Sequence, residues 1–305
     1  MNRMNRRRFL ESTAAAVGIA ALPLPRRLSA APAIPDLVDV QGGDPARRVN
    51  AALDALGGIG RFVSRGDRVV LKANAGFANP PEWATTTHPE VVLAVARACV
   101  QAGARSVTVV ENPTGSPGKC FKRCGLEAAF RALPEVELRL LGGDDFRALR
   151  IRDGISLKRT AVARQVLEAD CFINLPVAKS HSAATVTFGL KNHMGVIQDR
   201  LSFHTLLDLH QAVADLARVV RPRLTLLDAT RALLTNGPSG PGEVVTLDRL
   251  VAGRDIVAVD SYGLGLAEFQ HRKLRVDDVR HIALAARAGV GRADVAALQL
   301  RKILL

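Results

Sequence analysis

Aromatic residues and cysteines are scarce in this chain, and their scarcity excludes several functions. With one tryptophan and one tyrosine among 305 residues, few side chains can stack on single-stranded bases, so we expect no nucleic-acid binding. The four cysteines have no zinc-ribbon spacing and no ferredoxin-type spacing, which excludes a ferredoxin-type iron–sulfur motif. Cys120 and Cys124 form the only close pair. In an oxidising compartment they can form a disulfide, or they can remain two thiols on one helical face.

Long apolar runs and phosphate-binding motifs are also missing. After residue 24 no apolar run is long enough to span a bilayer, so no stable transmembrane anchor is expected. The chain has no nucleophile elbow, phosphate-binding loop or dinucleotide glycine fingerprint. The formal net charge is +13, of which +8 remains beyond residue 31 and is spread along the chain. Such a balance suits small anionic molecules or an acidic surface.

Residues 1–31 resemble a twin-arginine export signal peptide. Arg6-Arg7-Arg8-Phe9-Leu10 has two arginines, a variable residue and then Phe-Leu. A mild apolar stretch follows over residues 12–24, and small residues at 29–31 offer a cleavage site. We therefore expect the twin-arginine export machinery to carry the folded protein to the periplasm or another extracytoplasmic location. The alternative is a disordered basic N-terminus on a cytosolic protein.

Apolar runs of strand length alternate with amphipathic stretches along the rest of the chain. Strands are predicted over residues 68–72, 106–111, 136–141, 171–176 and 224–228, and helices over 88–103 and 204–220. This alternation predicts one large α/β domain over residues 67–305, with a mostly parallel sheet covered by helices on both faces. Residues 32–66 are expected to form an N-terminal lead-in segment.

Polar side chains gather where the predicted strands end. They are Lys72, Asn74, Glu111, Lys179, His181 and Asp228. Ligands of parallel α/β sheets bind beyond the carboxyl ends of the strands. The sequence therefore predicts that distant segments meet at one edge of the sheet and form a site there.

The segment over residues 185–195 mixes apolar residues with Lys191, Asn192 and His193. Because Leu190 and Met194 favour burial, Lys191 should be held close to protein and should need an anionic partner. That partner is either a carboxylate such as Asp228, in an internal ion pair, or a bound substrate.

Four of the seven histidines are candidates for chemistry. His88 begins a predicted helix, where the positive end of the helix dipole favours a neutral ring that can act as a base or a metal ligand. His181, His193 and His204 lie close enough in sequence to form a candidate divalent-metal site. No helical His-x-x-x-His pair supports the metal site.

These segments, in this order, resemble the domain of unknown function 362 family. The matching stretches are residues 70–74, 87–91, 169–181, 186–195, 221–222, 227–229, 236–238 and 258–260. The resemblance implies the α/β fold and a site centred on Lys72, Asn74, His88, Lys179, His181, Lys191, Asn192 and Asp228. Some family members carry fused ferredoxin modules, but this chain has no such module. The family has no settled activity, so the resemblance implies no particular reaction.

Our first hypothesis is an enzyme that acts on a small anionic molecule, either a carboxylate or a phosphate. The catalytic residues would be His88, His181 and Lys191. The ligand-binding residues would be Lys72, Asn74, Lys179, Asn192 and Asp228. Two alternatives stay open: a metal- or redox-cofactor-binding protein that uses the three clustered histidines, and an extracytoplasmic protein that binds an anion without chemistry.

Overall fold

The structure is a computed structural model that describes residues 33–114 and 116–305. The predicted export signal lies outside these residues. Within them, no helix combines the length and the apolar character needed to cross a bilayer. Residues Ile34–Leu305 form one compact unit.

The strands of the described chain include those predicted, with several additions. They are β1 (Leu37–Gln41), β2 (Arg68–Ala73), β3 (Ser106–Glu111), β4 (Glu137–Leu140), β5 (Phe146–Arg150), β6 (Arg159–Ala163), β7 (Cys171–Leu175), β8 (Val177–His181), β9 (Thr185–Thr187), β10 (Leu224–Leu233), β11 (Val244–Gly253) and β12 (Leu300–Leu304). The helices are α1 (Pro45–Ala55), α2 (Pro89–Gln101), α3 (Pro117–Arg123), α4 (Leu126–Phe130), α5 (Arg164–Glu168), α6 (Gly189–Asn192), α7 (Leu201–Thr205), α8 (Leu209–Leu216), α9 (Ile256–Gly263) and α10 (Arg280–Arg287).

The main sheet is mixed and mostly parallel, as predicted. Its order is β12-β1-β11-β10-β7-β2-β3-β4, and β8 extends from β10 and pairs with β9. The five strands from β10 to β4 run parallel to one another, whereas β11 is antiparallel to both of its neighbours. β5 and β6 form a separate antiparallel hairpin.

Helices cover both faces of this sheet, which confirms the predicted fold class. Successive strand residues alternate between two apolar cores, because side chains of a strand point to opposite faces. Leu71 of β2 packs with α1 and α2, whereas its neighbour Val70 packs in the core formed with α8, α9 and α10. The parallel strands inside the sheet are therefore buried on both sides, and their carboxyl ends remain as the place for a site.

The N-terminal segment differs from the expected lead-in. β1 lies inside the main sheet, paired with β11 and β12, and its residues Leu37 to Val40 are buried. Asp44 caps α1 by accepting a hydrogen bond from the Arg47 amide at 2.8 Å. Residues 34–66 therefore belong to the domain, and the pairing that places them there joins segments about 200 residues apart.

The predicted helix over residues 204–220 is broken into α7 and α8. The Asp208 side chain accepts hydrogen bonds from the amides of His210 and Gln211 and so starts α8 afresh. As a result, His204 lies on a separate short helix.

The Cys120 and Cys124 thiols lie against backbone carbonyl oxygens of their own helical turns. The Cys120 thiol contacts the carbonyl oxygen of Ser116, and the Cys124 thiol contacts that of Phe121.

Candidate functional site

A cavity of about 450 Å³ lies beyond the carboxyl ends of β2 and β3, between them and the segment that follows β7. Its lining combines cationic, polar and apolar side chains. The lining residues are Lys72, Asn74, Gly76, Phe77, Glu111, Thr114, Lys179, His181, Thr187, Lys191, Asn192, Met194, Gly195, Gln198, Asp199, Arg200, Leu201, His204 and Pro238. The three predicted lysines therefore share one cavity.

Lys72 and Glu111 form a buried ion pair at the base of this cavity. The Lys72 Nζ lies 3.0 Å from Glu111 Oε2, and the two side chains are 0% and 3% exposed. Glu111 Oε2 also accepts a hydrogen bond from the Ala75 amide at 2.7 Å. Burial lowers the pKa of Lys72, and the adjacent Glu111 carboxylate opposes that shift. Lys72 thus neutralises a carboxylate of the protein.

Asn74 and Asn192 position the lysines through a buried amide network. Asn192 Oδ1 accepts hydrogen bonds from Lys72 Nζ and from Asn74 Nδ2, both at 3.1 Å. The Asn192 amide nitrogen donates to Asn174 Oδ1 at 2.9 Å. Asn74 Oδ1 accepts from Lys179 Nζ at 3.1 Å. The side-chain polar atoms of both residues have protein partners, and both residues also line the cavity, so their direct contact with a ligand stays a prediction.

Lys179 is fully buried and is held by neutral oxygen atoms. Its Nζ donates to Asn74 Oδ1 and to the carbonyl oxygens of Thr85 and Pro238, the last at 3.2 Å. The same ammonium group lies 4.8 Å from the centre of the Phe77 ring. Burial lowers the pKa of Lys179 to about 7, since the charged form loses hydration. In the described chain, no carboxylate forms an ion pair with Lys179.

Of the three lysine amines in the cavity, that of Lys191 has the fewest protein partners in the described part of the chain. The side chain is 7% exposed, and its Nζ has neither an acceptor nor an ion-pair partner within residues 33–114 and 116–305. Burial lowers the pKa of Lys191 to about 7, and the nearby Arg200 guanidinium adds to this shift. Of the two partners expected for Lys191, the structure does not provide the carboxylate of Asp228.

Hydrogen bonds to Asp260 and tight packing at Gly195 hold the segment that carries Lys191. Asp260 accepts hydrogen bonds from the amides of Gly189 and Leu190, at 2.7 and 2.9 Å, and so fixes the start of α6. A Cβ atom at Gly195 would overlap with both Glu111 and Lys72. A glycine at position 195 therefore lets the chain after α6 pass directly over the buried ion pair.

His181 lines the cavity as a neutral ring with a defined tautomer. Its Nδ1 accepts hydrogen bonds from the amides of Ala183 and Ala184, at 3.1 and 3.2 Å. Burial lowers the pKa of His181 to about 2, with further lowering by Lys191 and Lys179. The single ring proton is therefore on Nε2, which makes His181 a hydrogen-bond donor to a ligand. His204 stacks on His181, with ring centroids 6.0 Å apart.

His88 and Asp228 do not line the cavity, which differs from our expectation for both. Asp228 accepts hydrogen bonds from the amides of His88 and Thr230, at 2.7 and 2.9 Å. Because β10 continues to Leu233, Asp228 lies in the middle of this strand and not at its end. The His88 ring caps α2 by accepting from the Glu90 amide at 3.2 Å. Both residues therefore hold the start of α2.

His193 is separated from the other two candidate metal ligands. It follows Lys191 by two residues in a helical segment, so the two side chains point to opposite sides. The His193 ring packs on Phe172, with centroids 6.0 Å apart, and burial lowers its pKa to about 3. Among the described residues, no group of three or more His, Cys, Asp or Glu side chains has the geometry of a metal site. The expected metal cluster of His181, His193 and His204 is therefore not formed in this structure.

Arg200 is a cavity residue that the sequence reasoning missed. Its guanidinium donates to the carbonyl oxygens of Asn112 and Pro113, the second at 2.6 Å, and burial lowers its pKa. Arg200 follows no predicted strand, so reasoning from strand ends could not find it. The run Gln198-Asp199-Arg200, directly after the dense segment over residues 185–195, was the available signal.

With this geometry established, comparisons with known proteins identify the family. A family model described as "Domain of unknown function (DUF362)" matches residues 69–265. The thylakoid-associated protein sll1697 of Synechocystis is 31% identical over 229 residues, which cover 72% of this chain and 69% of the relative. The chain belongs to the domain of unknown function 362 family.

Solved structures resemble the chain only weakly. A crystal structure of a Thermotoga maritima protein gives a TM-score of 0.41 at 11% identity, over 80% of this chain and 60% of that protein. The lactate racemase apoprotein of Thermoanaerobacterium thermosaccharolyticum gives a TM-score of 0.44 at 11% identity, over 71% of this chain and 54% of that one. These likenesses are too low to transfer any chemistry, and the chain spans only a little over half of each structure.

Proposed function

We propose that the protein is an enzyme that acts on a small anionic molecule, a carboxylate or a phosphate, bound in this cavity. The observation that carries the proposal is that more cationic than anionic side chains line the cavity. Lys179, Lys191 and Arg200 reach the cavity and form no ion pair within the described residues, whereas the buried carboxylate of Glu111 is already neutralised by Lys72. Buried cations without a carboxylate partner are costly, and a bound anion would remove that cost.

The remaining groups suit orientation and proton donation. His181 offers an Nε2 proton from a neutral ring to an oxygen atom of the ligand. Phe77 and Met194 provide an apolar wall along part of the cavity. The cavity of about 450 Å³ has the size of a site for a small metabolite.

Titration calorimetry with a panel of small anions tests this proposal. Inorganic phosphate, small monocarboxylates and small dicarboxylates are compared with neutral amides of the same shape. We expect one anion class to bind at a single site and the amides not to bind. Because burial lowers the pKa values of Lys179 and Lys191 to about 7, both lysines lose their charge above neutral pH. Affinity should therefore fall at least roughly tenfold between pH 6 and pH 9.

Binding that does not weaken between pH 6 and pH 9, or equal binding of anions and amides, would contradict the proposal. A non-catalytic binding protein would give the same affinity profile. Chemical change of the bound anion during prolonged incubation separates the enzyme from that alternative.

We also propose that the protein is exported through the twin-arginine pathway. Arg6 and Arg7 are the two arginines of the signature, and an apolar stretch follows them. The double replacement Arg6→Lys with Arg7→Lys should trap the chain in the cytoplasm, whereas Arg26→Lys with Arg27→Lys keeps the signature and should leave export intact. Fractionation of cells that express each variant measures this. Equal export of the two double variants would refute the proposal.

A further inference from the structure

The three lysines of the cavity have three different environments. Lys72 forms an ion pair with Glu111 at 3.0 Å. Lys179 donates to three oxygen atoms, which accounts for all three protons of an ammonium group. Lys191 is 7% exposed, and its Nζ has no acceptor in the described part of the chain. The amines of Lys72 and Lys179 thus have acceptors in the protein, whereas the amine of Lys191 has none in the described part of the chain.

An uncompensated buried lysine favours its neutral amine form. With a pKa of about 7, Lys191 is a free amine in about half of the molecules at neutral pH. An exposed lysine has a free amine in only roughly one molecule in several thousand at that pH. Desolvation beside a second cation is a known way to make a lysine nucleophilic, and Arg200 supplies the second cation here.

We propose that Lys191 condenses with the carbonyl group of an oxo acid bound in the cavity, so that the substrate class is a small molecule with both a carboxylate and a ketone or aldehyde. This inference rests on the proposed anion site, in which Lys179 and Arg200 hold the carboxylate. The Lys191 nitrogen forms a bond to the carbonyl carbon. The carbonyl oxygen leaves as water with the two amine protons, and an imine remains, with no net oxidation or reduction.

His181 suits this step because of its tautomer. The accepting Nδ1 leaves the proton on Nε2, and the ring lines the same cavity as Lys191. A neutral donor stabilises negative charge as it develops on the carbonyl oxygen during attack. It does so without adding a further positive charge that would depress the basicity of Lys191.

Reductive trapping tests the inference. The purified protein is incubated with glyoxylate, pyruvate, 2-oxoglutarate or phenylpyruvate in the presence of sodium borohydride, and intact mass and peptide mapping locate the adduct. We expect one stable secondary amine per chain, on Lys191, with at least one of these acids. The matching 2-hydroxy acids have no carbonyl group and should give no adduct, but they should compete with its formation.

The variant Lys191→Arg separates the two proposals, since it keeps the positive charge and removes the nucleophile. It should still be stabilised by a 2-hydroxy acid in a thermal-shift assay and should form no adduct. If hydroxy acids stabilise the wild type but no oxo acid is trapped, the imine inference is wrong and the anion site stands. An equal adduct yield in Lys191→Arg also overturns the inference. If no anion of the panel stabilises the wild type and no adduct forms, both proposals fail.

Discussion

Replacing Lys191 by Met is expected to raise the melting temperature of the ligand-free protein and to weaken its stabilisation by an anion. Met has nearly the same length as Lys and removes an uncompensated buried charge. Burying a polar group without a partner costs roughly 1–3 kcal/mol, which corresponds to roughly 5 °C for a domain of this size. An ordinary structural lysine would show the opposite sign, because its removal would cost stability.

The gain in stability should depend on pH. The folded-state pKa of Lys191 is about 7, below the ordinary value of 10.5. Between these values the unfolded chain therefore holds more protons than the folded chain. The cost in folding free energy of burying the charged Lys191 side chain is complete below about pH 7 and fades as the pH rises towards 10.5. The melting temperature of Lys191→Met should exceed that of the wild type most at pH 6 and least at pH 10.

Lys273→Met is a matched control, because the Lys273 side chain is 88% exposed and its ion pair with Glu268 spans 3.6 Å. An exposed ion pair of this kind contributes little to the free energy of unfolding. The control should therefore match the wild type in stability and in anion binding. A Lys191→Met protein that is less stable than the wild type at pH 6, or that the anion stabilises as much as it stabilises the wild type, would refute our account of Lys191.

Breaking the Lys72–Glu111 pair should have the largest destabilising effect. Either Lys72→Met or Glu111→Gln leaves a buried charge unpaired, which typically costs roughly 3–5 kcal/mol. Since each kcal/mol corresponds to roughly 2–4 °C for a domain of this size, we expect a fall of about 10 °C in melting temperature. Urea denaturation of the same variants gives the free energy of unfolding directly.

The double variant Lys72→Met with Glu111→Leu should recover part of this loss, since it removes both charges together. Recovery is partial because the Ala75 amide loses its acceptor and Asn192 Oδ1 loses one of its two donors. If either single variant is as stable as the wild type, the pair does not anchor the cavity. If the double variant is no more stable than the single variants, unpaired charge is not the cause of the loss.

The sequence predicted the parts of the site that follow from local pattern. Apolar runs locate β2 and β7, and the rule that ligands bind beyond the ends of parallel strands places Lys72 and Lys179 at one edge. The mixed segment over residues 185–195 indicated that Lys191 would be buried near a partner. These inferences need only the order of elements and the burial of neighbouring residues.

The parts that the sequence could not predict depend on pairing between distant segments. No local pattern shows that β1 belongs to the sheet, because its partners β11 and β12 lie at the other end of the chain. The run of apolar residues pauses at Asp228 and so predicts a strand end there, whereas pairing with β11 extends β10 to Leu233. Which lysine meets Glu111 is likewise a matter of tertiary geometry, and this choice decides which cations remain for a ligand.

The most direct test of the cationic cavity is the number of protons taken up when an anion binds. Calorimetric titration of the wild type in two buffers with different ionisation enthalpies measures that number. At pH 8, Lys179 and Lys191 are mostly neutral in the free protein, given their pKa values of about 7, and a bound anion draws them towards the charged form. We expect an uptake of roughly one to two protons per anion at pH 8 and close to none at pH 6. Binding at pH 8 with no proton uptake would contradict the claim that buried lysines hold the ligand.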